Sequence, residues 1–140
     1  MEDIVIRPFQ AADEADITAL WEEVFPNPSP WNIATDDIRR KQAVQPELFF
    51  VAVQNEKIIG TAMGGYDGHR GWVYYLGVHP EFRRSGVGSR LMQSVEEALI
   101  AIGCSKLNLQ VRASNVDVVN FYQQLGYSTE ERVSMGKRLA

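Results

Sequence analysis

Two glycines and three arginines are crowded into Arg83-Arg84-Ser85-Gly86-Val87-Gly88-Ser89-Arg90, and no other stretch restricts the fold of this chain as tightly. Ahead of it, Trp72-Val73-Tyr74-Tyr75-Leu76-Gly77-Val78 reads as a largely buried strand, closed by the turn His79-Pro80-Glu81-Phe82. Behind it, Val87, Leu91, Val95, Ala98, Leu99 and Ile102 recur at helical spacing until Gly103 ends the run. The chain must therefore pass from strand to helix through a glycine turn. The first amides of a helix lack intrahelical partners and point outward, so such a turn closes backbone N–H groups on an anion while the arginines add charge.

Two well-known phosphate cradles do not fit. A P-loop needs a lysine directly after its last glycine, and Ser89 follows Gly88. A dinucleotide fingerprint needs a third glycine where Leu91 stands, and it opens the first unit of a parallel sheet, whereas this turn lies past mid-chain.

Length and charge narrow the ligand. With 140 residues there is room for one domain, and a net charge of −4 gives no general attraction for nucleic acid, although the cluster from Arg83 to Arg90 can still hold the phosphates of a small ligand. Cys104 is the only cysteine, so no internal disulfide can form. With no signal peptide and no long apolar span, the chain reads as cytoplasmic, without a membrane partner. Cys104 is better explained by packing than by nucleophilic chemistry, and His69 and His79 are too isolated for a metal site.

The rest of the chain reads as a mixed α/β (α+β) fold. Residues 4–7 form a first strand, and Ile17, Leu20, Trp21 and Val24 share one helical face that ends at Pro26, Pro28 and Pro30. Thr35-Asp36-Asp37 caps a second helix running to about Gln45, and strands over 48–53 and 57–63 form a hairpin. A polar, glycine-rich loop over 64–71 precedes the strand at 72–78. Helix 86–102, strand 106–111 and helix 115–125 follow, and Tyr127, Val133, Met135 and Leu139 predict a further strand. The expected architecture is a mixed, mostly antiparallel central sheet flanked by helices.

The combination of Leu76-Gly77-Val78, His79-Pro80 and Arg83-x-x-Gly86-x-Gly88 resembles the GNAT acetyltransferase superfamily. A second block agrees: Leu109-Gln110-Val111-Arg112-Ala113-Ser114-Asn115, then Val118, Phe121-Tyr122 and Leu125-Gly126-Tyr127, with Val118 in place of the family's alanine. Residues 63–71 are similar to the small bacterial acetyltransferases of the YpeA type. The resemblance implies one N-acetyltransferase domain over 1–140, two splayed central strands, and acetyl-CoA as cosubstrate with CoA as product. It implies that Leu76, Gly77 and Val78 pair with the pantetheine arm, and that a backbone N–H near Val78 stabilises the developing oxyanion. Arg83, Arg84, Ser85, Gly86, Val87, Gly88 and Ser89 would then surround the pyrophosphate, mainly through their amides. Asn115 would bond to pantetheine, and Tyr122 would protonate the departing thiolate.

Without the resemblance, the same residues are a buried strand, a helix start, an N-cap and a core tyrosine. Asn115 and Tyr122 lie seven residues apart, on nearly the same helical face. Gln110 stands where related N-terminal acetyltransferases carry a glutamate, and an amide cannot take a proton. Asp67 and His69 are alternative bases, with solvated loop residues as the plainer explanation. Trp31, in the proline loop, is the aromatic candidate for an acceptor pocket, whereas Trp21 reads as core.

The expected reaction is direct transfer of an acetyl group to a primary amine of a small molecule or a polypeptide N-terminus. A CoA-binding regulatory module with little turnover is the alternative, and monomer and homodimer both remain open. A purely structural domain is the third reading, and it leaves Gly86, Gly88, Asn115 and Tyr122 as turn, cap and core.

Overall fold

The hairpin predicted around Asn55 is present as β2 (Phe49–Gln54) and β3 (Lys57–Tyr66) in the computed structural model, which describes residues 3–26 and 28–140. Asn55 and Glu56 both take positive φ, at 50° and 62°, the twist that a two-residue hairpin loop needs. β1 (Val5–Pro8) adds antiparallel to β2, and β4 (Gly71–Val78) antiparallel to β3. β5 (Leu107–Asn108) lies parallel to β4, so the sheet runs in the order β1-β2-β3-β4-β5. A parallel pair needs a long crossover, and α3 (Val87–Ala101) provides it.

Strand alternation assigns the helices to opposite faces. On β3, a Cβ added at Gly60 or Gly64 would stand 3.0 Å from Leu91 or Val95 of α3, so these positions form the seat of that helix. Val87, Leu91, Met92, Val95 and Leu99 are the stripe it buries there. Thr61 and Met63 point the other way. On their side, α1 (Glu14–Val24) and α2 (Ala34–Ala43) close a core of Ile17, Leu20, Trp21, Ile38, Phe49, Val51 and Met63.

Gly77 is fixed by the close approach of α1 to β4. A Cβ there would stand 2.7 Å from Phe25 Cζ and 2.8 Å from Val24 Cγ1. Overpacking of this kind costs about 1–3 kcal/mol. Gly77→Ala should therefore lower the melting temperature by several degrees, which a calorimetric or circular-dichroism melt reads directly. An unchanged midpoint would mean that α1 is not seated against β4 as described.

Several expected elements differ from those observed. β3 runs on to Tyr66, so the loop expected over 64–71 shrinks to residues 67–70; Gly64 and Gly65 are strand residues that pair with Val73 and Trp72. α2 starts at Ala34, so Asp36 and Asp37 sit inside its first turn, where they complement the helix dipole, and Ile33 occupies the cap. The strand expected over 106–111 pairs with β4 only at Leu107 and Asn108. After α4 (Val116–Gln124) no strand forms, and Val133, Met135 and Leu139 are 87%, 89% and 92% exposed. An alternating pattern specifies two faces of a strand, but it cannot supply the neighbouring strand that would make one.

Two compact units make up the chain, Met1–Gln110 and Val111–Ala140. Among the described residues, no helix is long and apolar enough to cross a membrane, and no group of His, Cys, Asp and Glu is placed to hold a metal ion.

Candidate active site

The pairing of β3 with β4 slips at one point. Thr61 faces Gly77, yet Met63 faces Tyr74, so β4 carries one extra residue and bulges at Tyr75 and Leu76. Tyr75 takes φ 54°, a conformation that costs a non-glycine residue about 1–2 kcal/mol. Its side chain and carbonyl are held on several sides. The ring stacks on Trp21 at 3.8 Å and 7°, and the hydroxyl donates to Asp37 Oδ2 at 2.5 Å. Thr61 Oγ1 donates to the Tyr75 carbonyl at 2.7 Å and accepts from Trp21 Nε1 at 2.9 Å. Burial, together with the bond to Asp37, raises the pKa of the Tyr75 phenol, so it keeps the proton it donates.

Beyond the bulge, β4 has one open edge. Its pairing with β5 ends at Trp72 and Asn108, so among the described residues no strand pairs with residues 73–78 on that side. The His79 N–H turns inward and donates to the Ile59 carbonyl at 2.7 Å. Alternation therefore points the N–H and C=O of Val78 to the open edge. Arg83 Nε reaches back to donate to the Val78 carbonyl at 3.3 Å, which ties the first residue of the arginine–glycine turn to that edge.

The turn itself has the form of an anion cradle. Arg84 takes φ 68°, and Gly86 caps α3 at φ 83° and ψ 6° with no side-chain hydrogen bond to the helix. The first helical bond runs from Arg90 N to Gly86 O at 3.1 Å, so the amides of Val87, Gly88 and Ser89 have no acceptor in the helix. No acidic residue lies in the first turn of α3, and Arg83, Arg84 and Arg90 are exposed around it. The Ser85 hydroxyl turns away, donating to the Phe82 carbonyl. A Cβ at Gly86 would meet nothing within 4 Å, so the space before the turn is open. These residues fit a diphosphate: bare amides, fixed dipole, flanking guanidinium groups and no opposing carboxylate.

In the second unit, Asn115 caps α4 through its backbone carbonyl, which accepts from Val119 at 3.1 Å; its side chain makes no capping bond, so capping does not explain the asparagine. Tyr122 is buried against Phe121 and Tyr127, with ring centroids 5.2 Å and 5.6 Å away. Its hydroxyl bonds to none of the described residues and keeps contact with solvent. Desolvation pushes its pKa up to about 12.

The other candidates are scattered. Asp67 and His69 lie in the β3–β4 turn, at the opposite end of β4 from Val78, about 20 Å away at strand rise. The Asp67 carboxylate accepts from the Arg70 and His69 amides at 2.7 Å each, which hold its pKa below the usual range and make it a weaker base. Gln110 is exposed on the segment after β5. Trp31 is 53% exposed in the α1–α2 connection, whereas Trp21 is core. Sequence reading missed Thr61, Tyr75 and Asp37 as the group that holds the bulge. The one available signal was a threonine inside the apolar run Ile58-Ile59-Gly60-Thr61-Ala62-Met63.

Known proteins are similar to this chain in sequence and fold. Residues 15–127 match the model of the acetyltransferase (GNAT) family. An acetyltransferase of Yersinia enterocolitica is 48% identical over 134 residues, covering 96% of this chain and 94% of that one. Among solved structures, aminoglycoside N-acetyltransferase AAC(6')-Iy in complex with CoA superposes with TM-score 0.81 at 18% identity, over 100% of this chain and 97% of that one. The ribosomal-protein-S18-alanine N-acetyltransferase of Escherichia coli superposes with TM-score 0.76 at 23% identity, over 89% and 77%. These two likenesses concern the fold. With an open strand edge, a bare-amide cradle and these matches together, the chain belongs to the acetyltransferase (GNAT) family and is an acyltransferase that takes acetyl-CoA as its cosubstrate.

Proposed function

We propose that this protein transfers the acetyl group of acetyl-CoA directly to a primary amine, of a small molecule or a polypeptide N-terminus, with residues 1–140 acting as one cytoplasmic N-acetyltransferase domain. The observation that carries this reading is the continuity, through the Arg83–Val78 bond, of the open β4 edge with the bare amides of α3. Bound acetyl-CoA supplies an acetyl thioester. The amides of residues 84–89 hold its diphosphate, with Arg83 setting the turn, and the backbone of Leu76, Gly77 and Val78 pairs with the pantetheine arm. The Val78 N–H donates to the acyl oxygen, a preorganised contact worth about 3 kcal/mol as charge develops there. Asn115 bonds to the pantetheine amide. Tyr122, which burial keeps protonated at neutral pH, gives its proton to the departing sulfur. Calorimetry with acetyl-CoA, followed by thiol release across a panel of amines, tests the whole reading; absence of binding overturns it.

A CoA-binding module with little turnover is supported by one feature, the amide of Gln110 where the resemblance to N-terminal acetyltransferases implies a glutamate. Binding without thiol release from any amine would favour it.

Gln110 also leads to a pH prediction. Deprotonating a lysine side chain at pH 7 costs roughly 4–5 kcal/mol, against about 1 kcal/mol for an α-amine, so without a strong base the acceptor's own ionisation governs the rate. At saturating acetyl-CoA and subsaturating amine, the rate should rise with pH toward the acceptor pKa. Gln110→Glu should move that rise to lower pH. A parent profile that rises well below the acceptor pKa and collapses in Asp67→Asn or His69→Gln would place the base elsewhere.

A further inference from the structure

Lys41, in the last turn of α2, is only 8% exposed, yet among the described residues its ammonium has no hydrogen bond and no ion pair. Burial lowers its pKa, and the charge of exposed Glu47 offsets this in part. The tip still reaches solvent. Nζ stands 3.6 Å and Gln45 Oε1 3.8 Å from the position of a Cβ on Gly65, so both side chains lie over that glycine. Gln45, next to it, is fully engaged with Tyr66, donating to its carbonyl at 2.9 Å and accepting from its amide at 2.8 Å.

The surroundings place this cation on one surface with the β4 edge. Gly65 pairs with Trp72, and Trp72 with Asn108, so the three stand in a row across β3, β4 and β5. A Cβ on Gly71 would point at Leu99 of α3, so alternation turns Trp72 to the opposite face, the Lys41 side. Tyr74, two residues on and 53% exposed, shares that face. The open edge of β4 begins immediately after Trp72.

Resting on the acetyl-transfer reading, we infer that Lys41 receives a carboxylate of the acceptor, so that the substrate is an extended amine carrying a carboxylate, of the size of a short peptide. A buried ammonium that makes no ion pair among the described residues, with only the distant charge of exposed Glu47 to offset its desolvation, does little for folding and is poised for an anion that brings its own charge. Spacing sets the length. Trp72 pairs with Gly65 and Val78 with Gly60, five residues of β3 apart or about 17 Å, so the carboxylate should lie some four to five extended residues from the amine that attacks the acyl group held at Val78. The rings of Trp72 and Tyr74 line the interval.

The test uses alanine peptides of one to seven residues, each as free acid and as C-terminal amide, with thiol release from acetyl-CoA. The free acid should be favoured by about 10- to 100-fold in kcat/KM, mainly through KM, and the preference should peak at four to five residues. Lys41→Met should bring that ratio close to one, keep acetyl-CoA affinity, and raise the melting temperature, whereas a lysine with only a structural role would lower it. Equal rates for acid and amide in the parent, or a preference that survives Lys41→Met, overturns the assignment. If no peptide is acetylated, the Gly65 amide resonance of the CoA-saturated protein should still shift with tetra-alanine and not with its amide; no shift overturns the assignment as well. A parent that fails to bind acetyl-CoA in calorimetry would instead sink the transfer reading, whatever Gly65 reports.

Discussion

Replacing Gly86 by valine should weaken acetyl-CoA binding by on the order of 100-fold while the protein still folds. Gly86 holds φ 83° at the N-cap of α3, a conformation that a β-branched residue resists. Its surroundings are open, since a Cβ there meets nothing within 4 Å, so the substitution brings strain but no clash inside the molecule. The new side chain occupies the space in which a phosphate must approach the amides of Val87, Gly88 and Ser89. A hydrogen bond from an amide to a charged group is worth about 1.5–3 kcal/mol, and losing one or two accounts for the expected factor. Calorimetry on the variant, with a melt to show that it folds, decides the matter. Parental affinity in a folded Gly86→Val protein would mean that the cradle has been misassigned.

Tyr122→Phe should lower turnover by about 100-fold, the low end of what loss of a general acid costs, because a thiolate is a good leaving group. Acetyl-CoA affinity should stay nearly at the parental value. The phenyl ring preserves the edge contacts to Phe121 and Tyr127. The hydroxyl makes no hydrogen bond to the described residues, so removing it breaks nothing that holds α4. Stability should therefore hold or rise, because a buried polar group is taken away. A pre-steady-state measurement of thiol release with an established acceptor separates the outcomes. Unchanged turnover would return Tyr122 to the core, and lost stability would show that its hydroxyl has a structural partner.

Much of the fold was legible because its signals are local. The helical period of Val87, Leu91, Val95 and Leu99 fixed α3, and the glycine turn before it fixed where the strand must end. The turn proposed as the cradle was readable as a turn for the same reason: a helix start with two glycines and three arginines is defined within eight residues. Less legible was everything that depends on a partner distant in sequence. Residues 64–66 look like loop because glycines have no strand propensity, yet Gly64 and Gly65 are strand because Val95 of α3 and Lys41 of α2 need the room above them.

The sequence alone determined the order of strands and helices as far as α4, the glycine turn between β4 and α3, and the family to which the chain belongs. Only the tertiary structure decided that β4 bulges at Tyr75, that its edge is open beyond Trp72 among the described residues, and that Lys41 stands over Gly65 with no ion pair to any of them. The reason is physical. Helix periodicity and turn chemistry are set by neighbours in the chain, whereas a bulge, an open edge and a buried cation are set by register and packing between elements far apart in it. Thr61, Trp21 and Asp37 meet at Tyr75 across separations of 14, 54 and 38 residues, and no local pattern could have brought them together.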